Sequence, residues 1–217
     1  MNDAMKSFSD GVRQAVLSTI LLMVICGFLF PCVLSGLGFI LFPSQSNGSV
    51  VTVNGQAIGT KWVGQEFTKE YYLWSRPSAY HYNVYTEDAG GNQFYLDGSE
   101  FSGLSSGSNN YAPSNPALRE RVEKDMQTFL AKNPGVQATD IPTDLLTASG
   151  SGLDPHISPA AAEVQVPRIA KASGLSEDTV REIIKANTEG KVAGIFGEDK
   201  VNVLMANIQI GKAMGIL

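Results

Sequence analysis

An uncharged run of 47 residues dominates the N-terminal part of this chain. Residues 14–60 contain no Asp, Glu, Lys or Arg, and residues 15–42 are almost entirely apolar. A helix of roughly 20 apolar residues crosses the hydrocarbon core of a bilayer, and it pairs its backbone groups internally there. Residues 14–42 therefore predict a transmembrane anchor, with length to spare for a tilt or for a kink near Pro31.

The basic residues around the apolar run predict its orientation. Lys6 and Arg13 precede it, whereas the next basic residue after it is Lys61. Because loops rich in Lys and Arg stay in the cytoplasm, we expect residues 1–13 inside and residues 43–217 outside the cytoplasmic membrane. A cleaved signal peptide is the alternative, but its apolar part usually spans about 7 to 15 residues. An uncleaved, single-pass anchor is therefore the favoured interpretation.

The composition of residues 43–217 limits what this outer part can do. These residues carry 14 Lys and Arg against 19 Asp and Glu, a net charge of −5, so nothing indicates a nucleic-acid surface. Both cysteines, Cys26 and Cys32, fall inside the predicted span. A hydrophobic core or partner subunits must therefore stabilise the outer part without disulfide bonds. Its length suits one soluble domain.

The patterns beyond the span predict an α+β fold class, in which one mixed soluble domain holds a short β-hairpin and several helices. The alternating residues 50–58 are interrupted by Asn54-Gly55, a dipeptide that favours a tight hairpin turn. The spacing of apolar residues predicts helices over residues 61–74, 115–133, 160–172, 177–187 and 201–210. The last of these segments, residues 201–210, also fits a strand.

Residues 80–112 stand out because they lack any periodicity. They are rich in Gly, Ser, Asn and Tyr, a composition that predicts a long loop or a weakly ordered insert. We expect the tyrosines of this insert to be packing or interface groups.

Motifs for catalysis or cofactor binding are mostly missing. The sequence has no phosphate-binding loop, and Gly150-Ser151-Gly152 lacks the third glycine of a dinucleotide fingerprint. His81 and His156 lie far apart without a cluster of Cys or carboxylates at ligand spacing, which argues against a metal site. We expect no catalytic residue and no resident cofactor, and the two glycines are expected to allow a close backbone approach to the domain core or to a neighbouring subunit.

One group of residues has the side chains of a hydrolase triad. Ser149, Ser151, Asp154 and His156 lie within eight positions of one another. Residues so close together on a Gly- and Pro-rich segment usually bond to nearby backbone amides as turns and caps. The structural interpretation is therefore favoured, and a membrane-anchored extracytoplasmic hydrolase using Ser149 or Ser151 with His156 remains the alternative.

A larger set of motifs occurs in a fixed order behind the single span. It comprises Gln65, Arg76, Pro77, Ser78, Ser108, Asn109, Ser149, Gly150, Ser151, Gly152, Asp154, Pro155 and His156. In this order the sequence resembles the C subunits of the bacterial Kdp high-affinity potassium-transporting ATPases. The resemblance covers nearly the whole chain and is weakest over residues 85–102. It implies that the motif residues are candidates for contacts with partner subunits.

The resemblance also implies a function and a set of partners. The family provides a non-catalytic accessory subunit in a complex with a channel-like potassium-binding subunit, a P-type ATP-hydrolysing subunit and a small single-span subunit. Its members are credited with assembling or stabilising that complex, and with raising the ATP affinity of the hydrolysing subunit as a catalytic chaperone. ATP and potassium are then handled by the assembled complex, and membrane lipid surrounds the anchor.

The expected topology bears on the effect on ATP. ATP is cytoplasmic, whereas only residues 1–13 are expected inside, so we expect such an effect to be indirect, through the state of the complex. A regulator that binds nucleotide directly is a further alternative, and it predicts ATP binding by the outer domain.

Overall fold

The computed structural model describes residues 2–217, which divide into two compact units, the residues up to Val50 and Val51–Leu217. The first unit is helical, whereas the second combines helices with short sheets, so the predicted α+β class is confirmed. The helices are α1 Asn2–Val24, α2 Phe30–Leu41, α3 Pro43–Ser46, α4 Pro116–Lys132, α5 Pro159–Glu163, α6 Val166–Ser173, α7 Glu177–Ala186 and α8 Val203–Ala213. The strands are β1 Val50–Val53, β2 Gln56–Thr60, β3 Tyr85–Glu87, β4 Gln93–Tyr95, β5 His156–Ile157, β6 Thr188–Glu189 and β7 Lys200–Asn202.

The first unit contains a helix long enough to cross a membrane. Its apolar part runs over Gly11–Leu41, 31 residues with a mean hydropathy of 2.5 in the most apolar window. A π-helical turn, Ile25–Leu29, joins α1 to α2, and the Phe30 amide donates to the Ile25 carbonyl. Pro31 follows directly and has no amide hydrogen to donate, so the wider turn adapts the helix to the proline without ending it.

The second unit begins with the predicted hairpin, which is confirmed. Strands β1 and β2 pair in a two-stranded sheet. Between them Asn54 and Gly55 adopt positive φ angles of 52° and 81°, as a tight two-residue hairpin turn requires. Val53 of this hairpin packs with Leu204 and Ile208 of α8 in a small cluster of buried side chains.

Residues 61–74 do not form the predicted helix. The chain is irregular there, because buried amide side chains satisfy its backbone. Asn207 binds both backbone groups of Leu73, accepting from its N–H at 2.7 Å and donating to its C=O at 3.0 Å. Gln165 does the same for Trp74, at 2.8 and 3.3 Å. The apolar residues of this segment, such as Leu73, are buried in the core without helical periodicity.

A buried arginine holds the same segment. Arg168 donates from Nη1 to the carbonyls of Glu70 and Tyr72, and from Nη2 to Gln165 at 2.7 Å. Its guanidinium also lies 4.4 Å from the centre of the Trp74 ring. Burial lowers the pKa of Arg168 to about 10, so this side chain stays charged at neutral pH. It contributes a charge-assisted network instead of a surface ion pair.

Residues 80–112 contain more structure than the sequence predicted. Strands β3 and β4 pair antiparallel, with Tyr85 opposite Tyr95. Two of the tyrosines, Tyr82 and Tyr95, are buried, as expected of packing groups. The segment is thus a loop with its own hairpin and its own aromatic contacts.

The core of the second unit is a three-stranded antiparallel sheet covered by helices. The strand order is β5-β7-β6, so the short strand β7 lies in the centre. Helices α5 to α8 supply most of the buried side chains around it. The largest apolar side chains that are fully buried are Leu73, Ile169, Ile210, Val166, Val180, Val201 and Val203.

Helix α4 and helix α7 form where they were predicted, and each begins at a residue whose side chain caps it. The Asn115 side chain accepts from the Ala117 amide at the start of α4, and the Ser176 side chain accepts from the Thr179 amide at the start of α7. These short polar side chains satisfy amides that have no partner within the helix.

Two other predicted helices have different bounds. Residues 160–172 form two helices, α5 and α6, because the ring of Pro167 would clash with the carbonyl four residues earlier in a continuous helix. Residues 201–210 begin as strand β7, and α8 starts only at Val203. Asn202 ends the strand and caps the helix, since its side chain accepts from the Met205 amide.

Candidate functional site

Most of the motif residues meet around residues 147–156. The serines and the aspartate of this segment bond to their own backbone, as expected of turn residues. Ser149 Oγ accepts from the Gly152 amide at 2.9 Å, Ser151 Oγ from the Leu153 amide at 3.2 Å, and Asp154 Oδ1 from the His156 amide at 3.0 Å. We call this segment, together with Gly64, Arg76, Ser78 and Gly107, the motif cluster.

Arg76 binds two sides of the 147–156 segment. Its Nη1 lies 3.1 Å from Asp154 Oδ2, and its other nitrogens donate to the carbonyls of Thr147 and Ala148 at 3.3 and 3.5 Å. Burial would raise the pKa of Asp154, but hydrogen bonds from His156 and the charge of Arg76 outweigh it, and the net pKa is lowered. The Asp154 carboxylate is therefore ionised at neutral pH, and the Arg76 guanidinium holds it in place.

Three chain segments touch at Gly152. Ser78 Oγ donates to the Gly152 carbonyl at 2.7 Å, and the Gly107 amide donates to the Ser151 carbonyl at 2.7 Å. Gly152 has a φ of +66°, and a Cβ there would lie 2.5 Å from the Gly107 carbonyl oxygen. The close approach expected of this glycine thus exists, and it is made to the domain's own backbone. Gly150, by contrast, has open space around the position of a Cβ.

Gly64 forms a second close approach on the other side of the cluster. Its amide donates to the Leu153 carbonyl at 2.8 Å. A Cβ at Gly64 would lie 2.4 Å from the Tyr82 ring and 2.7 Å from the Asp154 carbonyl oxygen. The Tyr82 hydroxyl donates to the Arg76 carbonyl at 3.0 Å, and burial raises its pKa, so it remains a donor.

The remaining motif residues lie at the edges of this cluster. Gln65 donates to the Ile58 carbonyl at 2.7 Å and so attaches the hairpin β1-β2. The Pro155 carbonyl accepts from the Val203 amide at the start of α8. Ser108 and Asn109 lie beside Pro77 around a shallow cavity of about 180 Å³.

The structure does not assemble a hydrolase triad from the candidate residues. His156 Nδ1 lies 3.4 Å from Asp154 Oδ1, but within residues 2–217 neither Ser149 nor Ser151 forms a hydrogen bond with the imidazole. His156 Nε2 is buried and has no hydrogen-bond partner among the described residues, and the imidazole lies 6.2 Å from the Trp62 ring, measured between ring centres. A serine nucleophile needs its base within hydrogen-bond reach, and here the serines cap amides instead.

A larger cavity of about 620 Å³ lies beside the motif cluster, and the sequence did not predict that His81 and Tyr82 would line it. His81, Tyr82 and Asn83 are three successive residues with positive φ. His81 lies 3.2 Å from Glu66 and 3.6 Å from Asp97. The hydrogen bond to Glu66 raises the pKa of His81. No periodic pattern marks such a turn.

The cavity has charges of both signs on its wall. Arg76, Arg121 and Lys124 lie among its lining residues together with Glu66 and Asp97. Over the described part of the chain, no three His, Cys, Asp or Glu side chains group closely enough to hold a metal ion.

Comparisons with known proteins cover almost the whole chain. Residues 12–212 match the family model "KdpC: K+-transporting ATPase, c chain". A protein of Clostridium kluyveri named potassium-transporting ATPase KdpC subunit is 47% identical over 98% of this chain and 98% of its own length. A protein of the same name from Clostridioides difficile is 46% identical over 95% of this chain and 99% of its own, and one from Bacillus cereus (strain Q1) is 38% identical over 93% and 98%.

These matches extend over both units of the structure, from the apolar helix to the last turn of α8. Sequence identities of 38–47% over more than 90% of the chain show a common fold and a common family. The chain therefore belongs to the KdpC family, the c chain of the potassium-transporting ATPases.

Proposed function

We propose that this protein is a non-catalytic, membrane-anchored accessory subunit that assembles and stabilises the ATP-driven potassium uptake complex. Its relatives carry the name of a potassium-transporting ATPase subunit, and its apolar helix has the length and composition of one membrane span. A single span does not enclose a pore, so transport is assigned to the polytopic partners that the family resemblance implies.

The observation that carries this proposal is the bonding of the motif cluster. Its polar side chains are directed at backbone groups: Ser149 and Ser151 at amides, Arg76 at two carbonyls, and Ser78 at one carbonyl. Groups bound in this way fix the shape of a surface, whereas a catalytic group must be free to bond with a substrate. A rigid surface of defined shape suits docking to another subunit.

The effect on ATP credited to this family is proposed to be indirect. Lys6 and Arg13 favour an N-terminus in the cytoplasm, which leaves residues 43–217 on the side without ATP. By stabilising one state of the assembled complex, the outer domain would change nucleotide affinity at a distance. Any such change is limited by how much better the domain binds one state than the other.

The test uses the full chain with a C-terminal affinity tag, expressed together with the other subunits. We expect the polytopic subunits to copurify in mild detergent. Replacing residues 14–42 with an unrelated span of the same length and orientation shows how much the anchor contributes, and we expect weaker copurification and slower potassium uptake. Recovery of the wild-type chain alone, together with normal uptake in cells that lack it, would overturn the proposal.

A further inference from the structure

The loop that joins β6 to β7 exposes large apolar side chains at its tip. Val192, Ile195 and Phe196 are 72%, 75% and 69% exposed. Isolated apolar residues on a surface are common, but three large and mostly exposed ones within five positions of one turn indicate a binding surface. We call residues 191–199 the apolar loop.

Backbone hydrogen bonds give the apolar loop a defined turn conformation. The Val192 amide donates to the Phe196 carbonyl at 2.8 Å, and the Phe196 amide donates back to Val192 at 3.0 Å. Ala193 and Gly194 have positive φ angles of 53° and 73° and reverse the chain between them. The loop leads directly into β7, the central strand of the core sheet, where Val201 is fully buried. The exposed side chains are therefore presented from a rigid base, which lowers the entropic cost of binding.

The charges beside the tip indicate the chemistry of its partner. Glu198 and Asp199 follow the apolar residues, and Lys191 precedes them, so the loop has a net charge of −1. Within the described residues none of these three forms a salt bridge, whereas nearby Glu189 binds Lys61 at 2.9 Å and Lys200 at 3.6 Å. The two acidic side chains are thus free to bind basic groups on a partner.

We propose that the apolar loop inserts into an apolar cleft with a basic rim on another subunit of the potassium-transporting complex, a proposal that rests on the proposed function. A bilayer surface fits less well, since segments that bind anionic lipid carry Lys and Arg beside their apolar residues. A second copy of this chain would bring the same acidic residues together. An aromatic and two aliphatic side chains, flanked in the sequence by charged residues, match the composition of a protein interface, which has an apolar centre and a polar rim.

Photocrosslinking in cells identifies the molecule that contacts the apolar loop. A benzoylphenylalanine residue replaces Phe196 in the full chain, which is expressed with all the other subunits. Leu104, which is 81% exposed in a different loop, is the matched control position. We expect a product with an identified subunit from position 196 that exceeds the product from position 104. Products with lipid or with a second copy, or equal yields at both positions, would overturn the proposal.

Substitutions measure what the loop contributes. In the tagged full chain, Val192→Ser with Ile195→Ser and Phe196→Ser is expected to reduce the copurified subunits at least about tenfold, because apolar anchors dominate interface energy. Leu104→Ser is expected to leave copurification unchanged, and Glu198→Lys with Asp199→Lys to weaken it. Because the loop side chains are exposed, the thermal unfolding temperature should be that of the wild type.

The outcomes separate the two proposals. If the wild-type chain retains its partners and the triple variant retains them equally well, the assignment of the apolar loop is wrong and the proposed function stands. If the wild-type chain retains no partner, the proposed function fails and the loop proposal with it.

Discussion

At the scale of single residues, buried polar side chains stand in for regular secondary structure. Asn207 and Gln165 each bind both backbone groups of one residue in the irregular segment 61–74. Both amides are buried, at 2% and 0% exposure, so water has little access to replace them. Each such amide therefore stabilises the fold more than an exposed one.

The first prediction concerns Asn207. The substitution Asn207→Leu keeps the branching of the side chain, in a somewhat larger volume, but leaves the N–H and C=O of Leu73 buried without partners. Each group left unsatisfied costs about 1–3 kcal/mol, so we expect the two together to lower the free energy of unfolding by about 2–6 kcal/mol. Urea unfolding of the full chain in detergent, followed by tryptophan fluorescence, measures the change. Gln137→Ala, at an exposed amide, is the control, and an equal effect of both substitutions would contradict the explanation.

The second prediction compares two glycines of the motif cluster. Gly152→Ala forces a Cβ to within 2.5 Å of the Gly107 carbonyl oxygen at a φ of +66°, and such strain costs about 1–3 kcal/mol. Gly150→Ala meets open space and should change stability by less than about 0.5 kcal/mol. Thermal unfolding of both variants measures the difference. A Gly150→Ala variant as unstable as Gly152→Ala would show that the close approach is not the cause.

The sequence predicted part of this site and missed part of it. That Ser149, Ser151 and Asp154 bond to nearby amides was predictable, because the groups they bind are two or three residues away. The contact of Gly152 with Gly107 joins residues 45 positions apart. Nothing in the sequence says that Gly152 has such a neighbour and Gly150 has none, since that depends on how the loops cross.

At the scale of elements, the turn His81–Asn83 has an unusual backbone conformation. Its three residues all have positive φ, a conformation that costs free energy for residues with a side chain. Hydrogen bonds compensate for this cost: Ser78 Oγ accepts from the Tyr82 amide at 3.2 Å, and Asn83 donates to the Ser105 carbonyl at 2.9 Å. The ion pair of His81 with Glu66 also contributes to the stability of the turn, and this contribution depends on pH.

The third prediction follows from that ion pair. The hydrogen bond to Glu66 raises the pKa of His81 above its unfolded value of about 6.5. The stabilisation is therefore fully present below about pH 6.5 and is lost as the pH rises through the folded pKa. Because the pair is partly exposed, we expect a loss of about 1 kcal/mol or less.

Urea unfolding at pH 6 and pH 8 tests this for the wild type and for His81→Gln. The difference between the two proteins isolates His81, since the other titrating groups are common to both. We expect the wild type to lose more stability than the variant on going to pH 8. Equal losses would show that the contact of His81 with Glu66 contributes nothing.

Elements with local signals were predicted, and elements defined by distant partners were not. The caps Asn115 and Ser176 mark the starts of α4 and α7 in the sequence itself. Strand β7 has only three residues, and it is a strand because β5 and β6 pair with its two edges. Residues 61–74 have helical spacing, but the side-chain amides of Gln165, just before α6, and of Asn207 in α8 hold them in another conformation. Tertiary contacts outweigh local propensity in both cases.

At the scale of the whole molecule, the sequence predicted most of the architecture from hydropathy. The apolar helix follows from the absence of charges over residues 14–42, and the mixed domain follows from the spacing of apolar residues and the turn signals after it. The orientation of the helix rests on Lys6 and Arg13, because lipid and membrane potential act on charges near the span. It remains a prediction of the positive-inside rule.

The last prediction tests this orientation. With Cys26 and Cys32 changed to serine, single cysteines are introduced as Ser7→Cys before the span and Gln137→Cys in the second unit, where Gln137 is exposed. In spheroplasts, a maleimide that does not cross membranes should label position 137 fully and position 7 only after detergent is added. Labelling of position 7 but not of position 137 would place the second unit in the cytoplasm with ATP. An effect on nucleotide binding would then be direct, and ATP binding by the purified chain would be the measurement to follow.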